Sequence, residues 1–188
     1  MKTSAVVRLG DARKLDLRTN SVDAIVTSPP YLNAIDYMRG HRLALVWLGF
    51  TLEELRHIRS NSIGAERAAA AEVDEVARVA HAMHAGQDLP DRIAAMVARY
   101  AGDLLRMTSQ ASRVLRRNGR ATFVVGNSCL RGCDLDNALG LRTAAETWGL
   151  RLEDHVERAL PTSSRYLPIT GRDLSKRMRT ESVLTFVS

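Results

Sequence analysis

Thr27-Ser28-Pro29-Pro30-Tyr31-Leu32 follows an apolar run, Ser21 to Val26, and puts a hydroxyl, two prolines and an aromatic ring side by side. Proline fixes φ near about −65° and has no N–H to donate, and the residue before a proline is held extended. The chain must therefore stop pairing at Ser28 and continue as a stiff loop displaying one hydroxyl and one ring. A polyproline turn would account for the prolines alone. Asp11, after Gly10, sets a carboxylate behind an earlier apolar run, and this pair also suits a turn or a helix cap. Arg165, Arg172, Lys176, Arg177 and Arg179 cluster late in the chain, where they can meet phosphates or simply form a solvated loop. Cys129 and Cys133, the only cysteines, have no second pair and no His-x₃-His to complete a zinc site, so free thiols are expected. His41, His57, His81 and His84 are too irregularly spaced for a metal, and none is expected.

The elements that must position these residues can be read from hydrophobic period. "SAVVRL" (4–9) and "SVDAIVTS" (21–28) are short β-branched runs bounded by Gly10-Asp11 and by the prolines, and both are expected as strands. A helical pattern runs from Asn33 to Gly49. Thr51 with Glu54 three residues on matches a capping box, and 52–86 predicts one or two further helices. Pro90 to Asn118 is the clearest amphipathic helix, with Gly119 suited to a left-handed cap. "RATFVVGNS" (120–128) predicts a strand buried on both faces. A helix over about 135–148, a strand at "LRLEDHVERAL" and a last strand at "ESVLTFVS" follow. Strands alternating with helices and closing in a hairpin imply an α/β sheet with an antiparallel edge.

Composition is consistent with this picture. At 188 residues and 45% hydrophobic the chain suits one globular domain with a sizeable core. A formal charge of +6 and a pI near 9.9 favour an anionic partner. No apolar run approaches the roughly 18 residues a membrane span needs, no signal peptide is apparent, and a cytoplasmic location is expected.

"TSPPY" (27–31) resembles motif IV of the amino methyltransferases, which carries Asp, Asn or Ser before Pro-Pro and an aromatic. The run "GDARKLDLRTNSVDAIVTSPPY" is similar to that family's passage from motif III to motif IV. "RVLRRNGRATFVVGNS" (113–128) resembles the helix, turn and strand after the catalytic loop, and "SSRYLPITGRDLSKRMRTESVLTF" the closing segment of DNA modification methylases. The resemblance implies a Rossmann-like class I methyltransferase sheet and transfer of a methyl group from S-adenosyl-L-methionine to an exocyclic amine of a DNA base. Such an amine is a poor nucleophile because its lone pair is delocalised into the ring. Acceptors around its hydrogens favour the tetrahedral form that can attack. By resemblance the Ser28 hydroxyl and Pro29 carbonyl are those acceptors, Pro30 stiffens the loop, and Tyr31 stacks on a flipped base. Asp11 would accept from the cofactor's adenine amine, with Ala12 against the ring. Ser before Pro-Pro favours cytosine N4 over adenine N6.

The resemblance also exposes a gap. The family's F-x-G-x-G cofactor loop and the acidic residue ending its second strand have no counterpart here. The sheet is accordingly expected to be incomplete, with the first two strands absent. The chain then reads as a partial catalytic domain over 1–188, the carboxyl-terminal part of a split or truncated enzyme completed by a complementary chain. Residues 50–90 form a helical insertion within it, a target-recognition or lid segment, and double-stranded DNA is the expected partner. Two alternatives stand beside this reading: an RNA or tRNA guanine-N2 methyltransferase, and a noncatalytic nucleic-acid-binding remnant or subunit.

Overall fold

The computed structural model describes residues 4–32, 37–63, 73–130, 132–159 and 180–188. In chain order the elements are β1 (Val22–Thr27), α1 (Tyr37–Trp47), α2 (Leu52–Asn61), α3 (Val73–His84) and α4 (Asp91–Val114). Then come β2 (Leu115–Gly126), β3 (Ser128–Leu130), β4 (Cys133–Leu135), α5 (Asn137–Thr147), β5 (Arg151–Ala159) and β6 (Thr180–Val187). Four strands make one sheet in the order β1-β2-β6-β5. β1 runs parallel to β2, whereas β6 is antiparallel to both β2 and β5. The mixed α/β sheet with an antiparallel hairpin at its close is thus as expected.

The core lies on one face of this sheet. Ala121, Phe123 and Val125 of β2 and Leu184 and Phe186 of β6 alternate inward, where they meet Leu104, Leu105 and Ala111 of α4 and Leu141, Ala144 and Ala145 of α5. Phe123 and Phe186 pack edge to face with ring centroids 6.0 Å apart. The opposite face carries partly buried residues, among them Thr122 and Thr185, whose hydroxyls lie 3.1 Å apart across the strands. β2 is therefore buried on one face and not, as its composition suggested, on both. α3 joins the same core through Val79 and Met83, so the stretch 50–90 divides between a packed helix, α3, and the largely exposed α2. Thr51 caps α2 in the expected reciprocal box with Glu54.

Three local expectations are corrected. Residues 4–10 form no strand, and Val6, Val7 and Leu9 are exposed. Their apolar pattern is that of a strand, but no neighbouring strand lies beside them among the described residues. α4 ends at Val114, four residues before the expected limit, because Leu115 already enters β2 in extended geometry. Asn118, with φ +62°, takes the left-handed position that Gly119 was expected to fill. Gly119 is needed for space instead, since a Cβ there would sit 2.8 Å from the Arg116 carbonyl oxygen. The small β3–β4 hairpin, turning at Gly132 (φ +88°), had no clear sequence signal. In its register Cys129 faces Asp134 and Cys133 faces Leu130, which puts the two thiols on opposite faces, and neither forms a disulfide.

Candidate active site

Ser28 to Leu32 leave the carboxyl end of β1, where the prolines end the ladder. Four side-chain hydrogen bonds fasten this loop. The Ser28 hydroxyl reaches the Val124 carbonyl oxygen of β2 at 3.0 Å, and Tyr100 of α4 donates to the Pro30 carbonyl oxygen at 2.9 Å. Ser128 donates to the Leu32 carbonyl oxygen at 2.8 Å, and the Tyr31 hydroxyl donates to Oε1 of Glu181 at 3.0 Å. Pro29 and Leu32 are buried, whereas Ser28 is exposed and Tyr31 half-buried. The loop therefore leaves Ser28 at the surface, its proton given to β2, while Pro29 and Leu32 anchor it in the core. The tethered carbonyl is that of Pro30; the Pro29 carbonyl takes no side-chain hydrogen bond among the described residues.

Behind the loop stands a second tier. Asn137, fully buried at the start of α5, donates to both the Ser128 hydroxyl and the Gly126 carbonyl oxygen at 2.8 Å. Burial pushes the Tyr100 hydroxyl's pKa well up, and the neighbouring Asp103 and Tyr31 push it the same way. Tyr100 is thus held as a neutral donor to Pro30. Tyr100, Ser128, Asn137 and Glu181 were missed in the sequence. Each is polar inside or beside an apolar pattern, and that mismatch was the available signal.

The other candidate cluster centres on Asp11. Its carboxylate accepts from the Arg13 backbone N–H at 2.8 Å and from the Arg13 guanidinium at 2.8 to 3.2 Å, closing the turn. These bonds hold the Asp11 carboxyl below its usual range. Arg13 also reaches Asp103 of α4 at 2.9 Å. Asp103 lies one helical turn from Tyr100, so one face of α4 carries the partners of both candidate clusters. Further along, Gln110 and Arg113 of α4 bind the backbone of Leu15 and Leu17. α4 is consequently the rail on which residues 11–21 lie before they enter β1. Ala12 occupies the exposed turn after Asp11. Arg165, Arg172, Lys176, Arg177 and Arg179 lie outside the described residues. Among the described residues no cluster of His, Cys, Asp or Glu could hold a metal ion, and no helix is long and apolar enough to cross a membrane.

No family sequence profile matches the chain. A 43-residue stretch is 42% identical to the type II methyltransferase M.BsoBI of Geobacillus stearothermophilus, covering 23% of this chain and 8% of that protein. The fold superposes on the cytosine-N4-specific PvuII DNA methyltransferase with a TM-score of 0.51 at 14% identity, over 95% of this chain and 47% of that one. The Thermus thermophilus protein TTHA0409, solved in complex with S-adenosyl-L-methionine, aligns with a TM-score of 0.49 at 16% identity, over 96% of this chain and 51% of that one. The chain spans about half the length of these solved structures. Its sheet is similar to the methyltransferase fold, and its resemblance in sequence and in fold is to DNA methyltransferases.

Proposed function

We propose that this chain forms the target-base side of an S-adenosyl-L-methionine-dependent DNA amino methyltransferase, with cytosine N4 favoured over adenine N6. The observation that carries this reading is the Ser28–Leu32 loop, anchored by Tyr100 and Ser128 with an exposed hydroxyl and a half-buried ring at the end of a parallel strand. Open α/β sheets place ligands at that position. Ser28 and the Pro29 carbonyl accept the two amine hydrogens, and Tyr31 stacks on the flipped base. The cofactor supplies an electrophilic methyl carbon. Asp11, exposed despite its bonds to Arg13, retains lone pairs for an adenine amine beside Ala12. The basic residues Arg165, Arg172, Lys176, Arg177 and Arg179 meet DNA phosphates, and α2 serves as a lid or target-recognition segment.

The remaining cofactor contacts come from a complementary chain. Among the described residues β1 is the parallel edge of the sheet with nothing paired on its outer side, Val26 is 80% exposed, and the apolar Val6, Val7 and Leu9 are exposed as well. Parallel strands are ordinarily buried, so such an edge calls for a further strand. The test isolates the tagged chain from its own cells with whatever it binds and supplies labelled S-adenosyl-L-methionine and duplex DNA. The expected result is N4-methylcytosine among the digested nucleosides, lost at least about 100-fold in Ser28→Ala, with no cofactor binding by the 188-residue chain alone. N2-methylguanine from RNA would move the reading to the tRNA-type activity. Absence of any methylated nucleoside from a DNA-bound assembly would leave a noncatalytic subunit.

A further inference from the structure

Ser28, Tyr31 and Glu181 form a row of polar groups beside the loop, joined by hydrogen bonds. The Tyr31 hydroxyl has one proton and gives it to Oε1 of Glu181 at 3.0 Å; an ionised carboxylate can only accept. Glu181 is itself held from the other side, its Oε2 accepting from Arg158 Nε at 2.9 Å and Nη2 at 2.5 Å. Arg158 and Glu181 are direct cross-strand partners on β5 and β6, and the Glu181 side chain is only 12% exposed. The carboxylate therefore cannot swing away from Tyr31 without giving up an ion pair.

This order fixes the next group. Ser28 also has one proton, and two acceptors are in reach: the Val124 carbonyl oxygen at 3.0 Å and the Tyr31 oxygen at 3.4 Å. The second distance is long for a hydroxyl pair, so the proton goes to Val124. With both hydroxyl protons directed into the protein, the lone pairs of Ser28 Oγ are left for whatever lies outside. We propose that Glu181 is a positioning residue: by drawing the Tyr31 proton away from Ser28, it keeps Ser28 Oγ a hydrogen-bond acceptor toward a target amine. Without Glu181, the Tyr31 proton has Ser28 Oγ 3.4 Å away as an alternative acceptor. A bond there would take one of the two Ser28 Oγ lone pairs and weaken the oxygen as an acceptor for the amine. The assignment of the amine rests on the methylation reading above; the order of the hydrogen bonds does not.

Two measurements separate these claims. In proton NMR of the folded chain, the Tyr31 hydroxyl signal, identified by its loss in Tyr31→Phe, should shift and gain a cross-peak to Ser28 in Glu181→Leu. Glu181→Gln has one acceptor oxygen, which the two Arg158 donors claim, so its NH2 faces Tyr31 and the Tyr31 hydroxyl should shift as it does in Glu181→Leu. An unchanged Tyr31 hydroxyl in Glu181→Leu would overturn the proposal, and Glu181→Ala carries the same expectation should the leucine variant not fold. In the tagged assembly, Glu181→Leu should lower kcat for methyl transfer about tenfold or more with little change in KM, and Glu181→Gln should do the same, whereas Glu181→Asp, which keeps two acceptor oxygens, should recover part of it. In a Tyr31→Phe background, which has no proton to misdirect, Glu181→Leu should cost nothing further. A full additional loss there would mean Glu181 acts through something other than Tyr31 and would overturn the proposal. No transfer by the wild-type assembly, with the NMR order intact, would sink the methylation reading and support the hydrogen-bond order.

Discussion

Phe186 on β6 and Val7 near the start of the chain are both apolar residues in β-branched, strand-like runs, yet one is fully buried and the other 97% exposed. The difference lies in what stands beside each. β6 has β2 on one side, β5 on the other and α5 packed on its face, so each inward side chain on it meets helix or strand. Val7 precedes a turn that α4 holds through Arg13, but no strand lies next to it among the described residues. Composition made the two segments equal, and neighbours made them different. Val6, Val7, Leu9 and Val26 stay exposed on the segment before β1 and on the strand that is the sheet's edge among the described residues; Leu43, Trp47 and Leu48 form a second exposed apolar group in and just after α1.

The sharpest way to test that contrast is to truncate one residue from each side. Phe186→Ala should destabilise the chain by about 3 to 5 kcal/mol, the cost of removing a ring and leaving a cavity against Phe123. Val7→Ser should change stability by no more than about 0.5 kcal/mol, as exposed substitutions do. Urea midpoints at constant slope would read both. A substantial loss in Val7→Ser would show that residues 4–10 pack in solution, and the open edge would then be closed. In an assembly with the proposed complementary chain, Val7→Ser and Val26→Ser should become costly while Phe186→Ala stays as it was.

The same contrast explains how much the sequence disclosed. β1, the capped α2, α4, β2, α5 and the β5–β6 hairpin were legible because each satisfies its own period or cap locally. The loop Ser28–Tyr31 was legible because two adjacent prolines leave few conformations. Sheet order was not, since nothing in "ESVLTFVS" says that it lies between β2 and β5. Nor was the strand-like run 4–9 distinguishable from a real strand, because pairing depends on a neighbour and not on the residues that would pair. Tyr100 and Asn137 were hidden by distance: their partners lie 70 and 9 to 11 positions away. The left-handed position at Asn118 was misassigned to Gly119 because glycine suits both an unusual φ and a close approach, and only the latter applies there.

A smaller effect sharpens the comparison within the helical layer. Gly140 of α5 faces α3 so closely that a Cβ would lie 2.4 Å from Met83 Cγ. Gly140→Ala should therefore cost about 1 to 3 kcal/mol through overpacking. Combined with Met83→Ala the two should cost less than their sum, because the second opens the space the first requires. Full additivity would mean α3 does not rest on α5. The region 50–90 would then be separable as a whole, rather than divided between a packed α3 and an exposed α2.

The smallest expected effect concerns the bond that joins core to loop. Tyr100→Phe keeps the ring and removes the donor to Pro30, and should cost about 1 kcal/mol near neutrality. Its sign must change with pH. Burial first, then Asp103 and Tyr31, raise the Tyr100 pKa in the folded chain above its ordinary value of 10.0. Above about pH 10 the unfolded chain gives up that proton while the folded chain keeps it. The unfolded state then binds fewer protons than the native one, so wild-type stability falls as pH rises through that window. Tyr100→Phe has no proton to lose at this position and lacks that decline. Urea unfolding at pH 8 and at pH 10.5 to 11 should show the wild type's advantage shrinking and then reversing. Parallel curves for the two proteins would place the Tyr100 hydroxyl in water, and the Pro30 carbonyl would lose its anchor in the core.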